Sequence, residues 1–166
     1  MIYTMLPLYV NSLKGSVYEI GLAIGSGGTG YFVGALLFGW LSDLVKRRVA
    51  FIILGHLGLP IIAVGITLSK TPLQVMAVHF VGSIIASASY PSIMAYTADM
   101  TTKEVRGRWM GVVSASFFLP MALGACVAGY ALQWGYNMVC YIAAVMGMFS
   151  AVLVAFLVKE EKLVEE

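Results

Sequence analysis

"IGLAIGSGGTGYFVGALLFGWLSDLVKRR", residues 20–48, decides how the whole chain is read. Its first 22 residues, Ile20–Leu41, carry no charge, and the next seven carry one acid and three bases. A helix rises ~1.5 Å per residue and the hydrocarbon core of a bilayer is ~30 Å thick, so an uncharged run of this length spans a membrane. The charged knot marks where the chain leaves it.

The remaining sequence agrees. Apolar residues make up 60% of the 166 and charged residues 11%, against roughly 45–50% and 25% in soluble domains. A soluble chain this short could not bury so much apolar surface. Four more apolar runs have spanning length: Val49–Leu68, Leu73–Ala98, Trp109–Leu132 and Tyr136–Val158. "MIYTMLPLYV", Met1–Val10, is too short to span and lacks the basic start and small-residue cleavage site of a signal peptide. It reads as the outer end of a helix that begins upstream. The expected fold is therefore all-α, a polytopic membrane helix bundle with five complete spans, numbered two to six, and a partial helix one. Residues 1–158 form one bundle, and residues 159–166, "KEEKLVEE", form a charged tail or the start of a linker.

Positively charged loops stay in the cytoplasm. With Lys46, Arg47 and Arg48 inside, alternation places eight of the ten bases inside and leaves Lys14 and Lys70 outside. Loops 42–48 and 99–108 and the C-terminus are then cytoplasmic, in an integral protein of the plasma (cell inner) membrane. The short connections "KTP" and "WGY" make consecutive helices antiparallel neighbours. Cys126 and Cys140 fall inside spans, where a cysteine packs as a small apolar residue.

Gly25–Gly30, "GSGGTG", fits the G-x-G-x-x-G dinucleotide pattern, but that pattern works only where a strand turns into a helix and backbone amides meet a pyrophosphate. Inside an apolar span it has another use. Ser26, Gly30 and Gly34 recur every fourth residue and offer a smooth face to another helix; Ser116, Pro120, Gly124 and Ala128 on helix five form a second ladder. Helices two and five are the expected close-contact helices.

Helix four carries the most informative face. His79, Ser83, Ser87, Tyr90, Met94 and Thr97 fall within about 80° of one another at 100° per residue. Such a stripe avoids lipid: it either lines a watery path or hydrogen-bonds neighbouring helices. Pro91 should bend the helix near mid-membrane. His79 and His56 are the groups within the spans that titrate near neutral pH, and His79, on the stripe, is the better candidate for contact with substrate or protons. The sequence presents no metal-ligand cluster, no nucleophile with a base and no basic-aromatic surface for nucleic acid. No enzyme activity, cofactor or metal is expected.

The knot itself carries a resemblance. Gly39-x-x-x-Asp43-x-x-x-Arg47-Arg48 is similar to the G-x-L-x-D-R-x-G-R-R signature of the major facilitator superfamily of secondary transporters, with Leu44 where a base is usual and Lys46 where glycine is usual. "LPLYV" at the end of helix one, "EIGL" opening helix two, "YPSIMAYTAD" closing helix four, "RGRWMG" opening helix five and "ALGACVAGY" late in helix five extend the likeness over the chain. It resembles one six-helix half of such a transporter, with the N-terminal half favoured. Ala125 stands where proton-coupled drug exporters carry proline, which weakens the likeness to that subgroup.

The resemblance implies a small-molecule substrate moved by alternating access, protons as the candidate coupling ion, and a second six-helix half in the same chain or in an identical subunit. It also implies a cytoplasmic latch of Asp43, Arg47 and Asp99, with Arg48 beside it and Gly39 permitting close helix approach. Helix four would face the substrate path. Two other readings stay open: a free-standing six-helix protein paired as a pore, and a membrane binding protein that kept the fold without transport.

Overall fold

A computed structural model describes residues 1–160. Its helices are α1 (Ile2–Ser12), α2 (Val17–Val45), α3 (Arg48–Leu68), α4 (Pro72–Ala86), α5 (Ser89–Asp99), α6 (Lys103–Ala131) and α7 (Tyr136–Leu157), with one 3-10 turn at Leu132–Trp134. Five segments are long and apolar enough to cross a membrane: α2, α3, α4 with α5, α6 with its 3-10 turn, and α7. They are the five spans read from the sequence. Helices α2 and α6 begin earlier than the apolar runs because a helix continues through polar residues until a cap stops it. Ser16 accepts from the Glu19 amide while the Glu19 carboxylate returns to the Ser16 amide, which starts α2 three residues ahead of its first apolar run.

Span four is broken. The Ser87 amide reaches Ser83 and the Ala88 amide reaches Ile85, and α5 starts at Ser89. Pro91 explains the place: it has no amide to offer Ser87, four residues back, and its ring crowds that carbonyl.

Helix α2 packs most extensively on α4, α3 packs on α7, and α3 also backs α4 and α5. The α2–α4 seam runs on glycines. A Cβ at Gly30 would overlap the Phe80 carbonyl, and one at Gly34 would overlap Ser87 and Ile84. The buried face continues through Gly27 and Ala23, while Ser26 is only half-buried and donates to the Ala23 carbonyl at 2.8 Å. The second ladder differs from the expectation of a close-contact face. Ala128 is buried and Gly124 faces Met1, the residue that precedes α1, but Ser116 and Pro120 are exposed and α6 is the least enclosed span. Its contacts with the bundle are made mainly by α1 and α5, so its small residues meet no facing helix along most of their length.

The apolar core gathers at one end, where Met5, Leu6 and Val10 of α1 meet Ala63 and Ile66 of α3 and Val139 and Cys140 of α7. Tyr9 closes that end by donating to the Ile66 and Ser69 carbonyls at 3.1 and 2.8 Å. Phe32, Leu36 and Trp40 point outward from α2 at four-residue spacing, as a lipid-facing stripe requires. Among the described residues the clustered charge lies at the opposite end.

Candidate functional site

The basic end is built by a tight turn. Lys46 ends α2 in the left-handed region, φ 53°, with its amide on the Ser42 carbonyl at 3.0 Å. A residue with a Cβ is strained there by roughly 1–2 kcal/mol, which is why glycine suits this position of the signature. The turn is two residues long, so α3 starts at once with Arg48. Side chains in a first helical turn lean back toward the N-terminus, and for Arg48 that direction leads onto the end of α2.

The result is a three-way tie. Arg48 Nη1 donates to Asp43 Oδ1 at 2.5 Å and to Ser42 Oγ at 3.0 Å, and its Nε donates to Asp99 Oδ2 at 3.4 Å. One guanidinium thereby joins the ends of α2 and α5 to the start of α3. Its side chain is only 13% exposed, against 29% for Asp99 and 67% for Asp43. The Asp43 leg is the shorter, but solvent screens it; the Asp99 leg is longer and better sheltered. Exposed pairs are worth about 0.2–1 kcal/mol and charge-assisted bonds with less water more, about 1.5–3 kcal/mol.

The arginine of this tie is Arg48, whereas the signature's alignment points to Arg47. Arg47 is exposed at φ −115°, ψ 74°, outside the helix, and bonds neither acid. Gly39 lies beside the cluster, where an added Cβ would sit 3.7 Å from Pro91, an ordinary contact. The closest approach of α2 therefore comes at Gly30 and Gly34.

Glu160, which the sequence left in a solvated tail, belongs to this end as well. Its carboxylate accepts from the Val49 amide at 3.3 and 3.1 Å, and the Lys159 carbonyl accepts from Tyr96 at 3.2 Å. The signal was present in what α3 lacks: it opens with "RRVA", with no side-chain cap and no acid in its first turn. Helix starts leave amides that need acceptors. The rest of the tail, residues 161–166, lies outside the described residues.

The stripe of helix four divides between two settings. His79, Ser83 and Ser87 are buried. His79 Nδ1 lies 2.8 Å from the Ala23 carbonyl, which can only accept, so the neutral ring carries its proton on Nδ1 and keeps Nε2 as an acceptor. Gly27 makes room for that ring, and Tyr3 meets it edge-on at 5.3 Å. Ser87 sits against Gly34 and donates to the Ile84 carbonyl at 2.6 Å. Beyond the break, Tyr90 is 38% exposed and packs edge-on against Phe117 of α6, and Met94 and Thr97 are half-buried. His56 is half-buried on α3, its Nδ1 turned to the Ile52 carbonyl of its own helix.

A half-open cleft of about 480 Å³ lies at the Met1 end of α1, with Tyr3, Tyr31, His79, Ser83, Leu123 and Met146 in its wall. No Asp, Glu, Lys or Arg side chain of the described residues lines it. Among the described residues no group of three His, Cys, Asp or Glu side chains could hold a metal.

A bundle of spanning helices with an acid–arginine tie at one end invites comparison with known transporters. The sequence model of the Major Facilitator Superfamily matches residues 1–166. The chain belongs to this superfamily. It is 29% identical to an uncharacterised MFS-type transporter of Methanocaldococcus jannaschii over 167 aligned positions, covering 97% of this chain and 41% of that protein. It is 31% identical to Multidrug resistance protein 2 of Bacillus subtilis over 88 positions, 53% of this chain and 22% of that one. A putative metabolite transport protein of Escherichia coli is 28% identical over 138 positions, 82% and 30% of the two chains. No solved structure matches the chain. These similarities make it a membrane protein of a transporter superfamily, and it spans less than half the length of the relatives named.

Proposed function

We propose that this chain is one half of a secondary transporter that moves a small solute by alternating access, its path completed by a second six-helix unit. The observation that carries the reading is the Arg48 tie. It joins three helix ends at the basic, cytoplasmic end through contacts worth a few kcal/mol, which is the scale on which a two-state equilibrium is held and released. Packing at the other end has no such release: Met5, Leu6 and Val10 are fully buried there.

The latch consists of Arg48, Asp43 and Asp99, with Arg47 as a topology-setting charge. On the path side, Tyr90, Met94 and Thr97 are the stripe residues with exposed surface to offer, while His79 and Ser87 hold α4 to α2. The two settings of the stripe follow from the break at Ser87: ahead of it His79 and Ser87 meet α2 while His79 and Ser83 also reach the wall of the cleft, and after it α5 is freer of α2.

The test uses the full-length protein, cleared of other reactive thiols, with Met94→Cys as reporter and a membrane-impermeant maleimide applied to inverted vesicles. Arg48→Gln should raise the labelling rate roughly tenfold, the effect of ~1.4 kcal/mol on a two-state equilibrium. Surface abundance should stay near wild type. Unchanged labelling together with normal transport would remove the latch from the account. A solute for the transport assay can be found by thermal stabilisation of the full-length protein, since a ligand of the folded state raises its stability.

A further inference from the structure

Helix α3 begins under unfavourable conditions. Its N-terminal amides form the positive end of the helix dipole, and the residues placed there are Lys46, Arg47 and Arg48. No Ser, Thr, Asp or Asn stands at its N-cap, and no acid lies in its first turn. Yet the amide next to Arg48 is satisfied: both Glu160 oxygens accept from Val49, from 111 positions away in sequence. The same short segment is pinned a second time, by Tyr96 of α5 at the Lys159 carbonyl. Residues 159–160 therefore bridge the start of α3 and the last turns of α5, the two elements that Arg48 and Asp99 also join. Two ties lie in parallel, one ionic and one made by the chain that follows α7.

We propose that Glu160 is a positioning residue for the latch: it supplies the N-cap that α3 lacks and so holds Arg48 in register with Asp43 and Asp99. The consequence is regulatory. The segment leaving α7 is coupled to the latch through the first turn of α3, so a pull that withdraws Glu160 frees that turn and loosens the Arg48 contacts. This inference rests on the latch reading given above, and its test separates the two.

Three variants are compared in the full-length protein carrying the Met94→Cys reporter: Glu160→Ala, which removes the cap; Glu160→Asp, which keeps the charge; and Arg48→Gln. Tyr96→Phe, which loosens the second pin without touching a charge, serves if Glu160→Ala accumulates poorly. Two quantities are read, hydrogen–deuterium exchange of the peptide containing Val49 and maleimide labelling of the reporter. Loss of an N-cap should speed exchange at the start of α3 about two- to thirtyfold. Labelling should rise in the same variant, Glu160→Asp should recover part of both effects, and adding Arg48→Gln to Glu160→Ala should raise labelling by less than the product of the two separate increases. Unchanged exchange would overturn the cap. Faster exchange with unchanged labelling, while Arg48→Gln alone still raises labelling, would overturn the positioning role and leave the latch standing. Labelling that responds to neither variant would overturn latch and inference together.

Discussion

The α2–α4 seam and the basic end of the bundle join helices by opposite means. At the seam Gly30 and Gly34 let two backbones approach until a single added carbon would collide with Phe80, Ser87 or Ile84. At the basic end a long arginine reaches across from α3 to acids on α2 and α5, and a carboxylate from beyond α7 reaches back to α3. The seam has no gradual way to loosen, because close-packed surfaces lose contact energy steeply with separation. The basic end can let go one contact at a time. On the alternating-access proposal, a bundle that holds its shape while one end opens needs both, and this chain keeps them in different places.

Gly30→Val should break the seam and give the largest effect. Its Cβ would fall on the Phe80 carbonyl, which is backbone and cannot rotate away, and overpacking of this kind costs roughly 1–3 kcal/mol or more. The yield of folded, detergent-stable protein should fall severely. Gly28→Val is the matched control, since nothing lies within 4 Å of a Cβ there. Equal yields for the two variants would mean that α2 does not lie on α4 through its glycines.

The two acids sharpen the view of the basic end. Asp99 is the more sheltered partner of Arg48, so Asp99→Asn should raise reporter labelling more than Asp43→Asn, several-fold against about twofold. A larger effect at Asp43 would show that its shorter contact outweighs its exposure. The smallest expected effect is at Lys46. Because it sits at φ 53°, Lys46→Gly should leave the protein at least as stable as wild type, while Lys46→Val should lower the melting temperature by a few degrees at most. A neutral valine would show that the turn relaxes out of the left-handed region.

How much of this was legible in the sequence depended on range. Spans are set by uninterrupted local composition, and all five were readable from it. Pro91 announced a bend, because its cause lies within four residues. The signature points to Arg47 and sets Arg48 beside it; the two are adjacent, and only the left-handed turn at Lys46 decides which of them starts the helix and leans back over α2. Spacing of four picked Ser26 as the continuation of the Gly30–Gly34 face, whereas the seam follows Gly27 and Ala23, a helix face that drifts between steps of three and four. Pattern alone could not show that His79 and Ser87 meet α2, since a polar stripe looks the same whether it faces water or a glycine groove. Glu160 was out of reach for a different reason. Its partner is a backbone amide, which leaves no mark in the sequence except the missing cap at the start of α3.

The central claim is that one arginine, Arg48, holds the basic end closed. The most direct measurement sets Arg48→Gln beside Arg47→Gln in the full-length protein, reading maleimide labelling of Met94→Cys from the cytoplasmic side and surface abundance in the same preparations. The account predicts roughly tenfold faster labelling for Arg48→Gln at unchanged abundance, and for Arg47→Gln near-normal labelling with any change confined to insertion. Equal acceleration by both variants, or acceleration by Arg47→Gln alone, would contradict it.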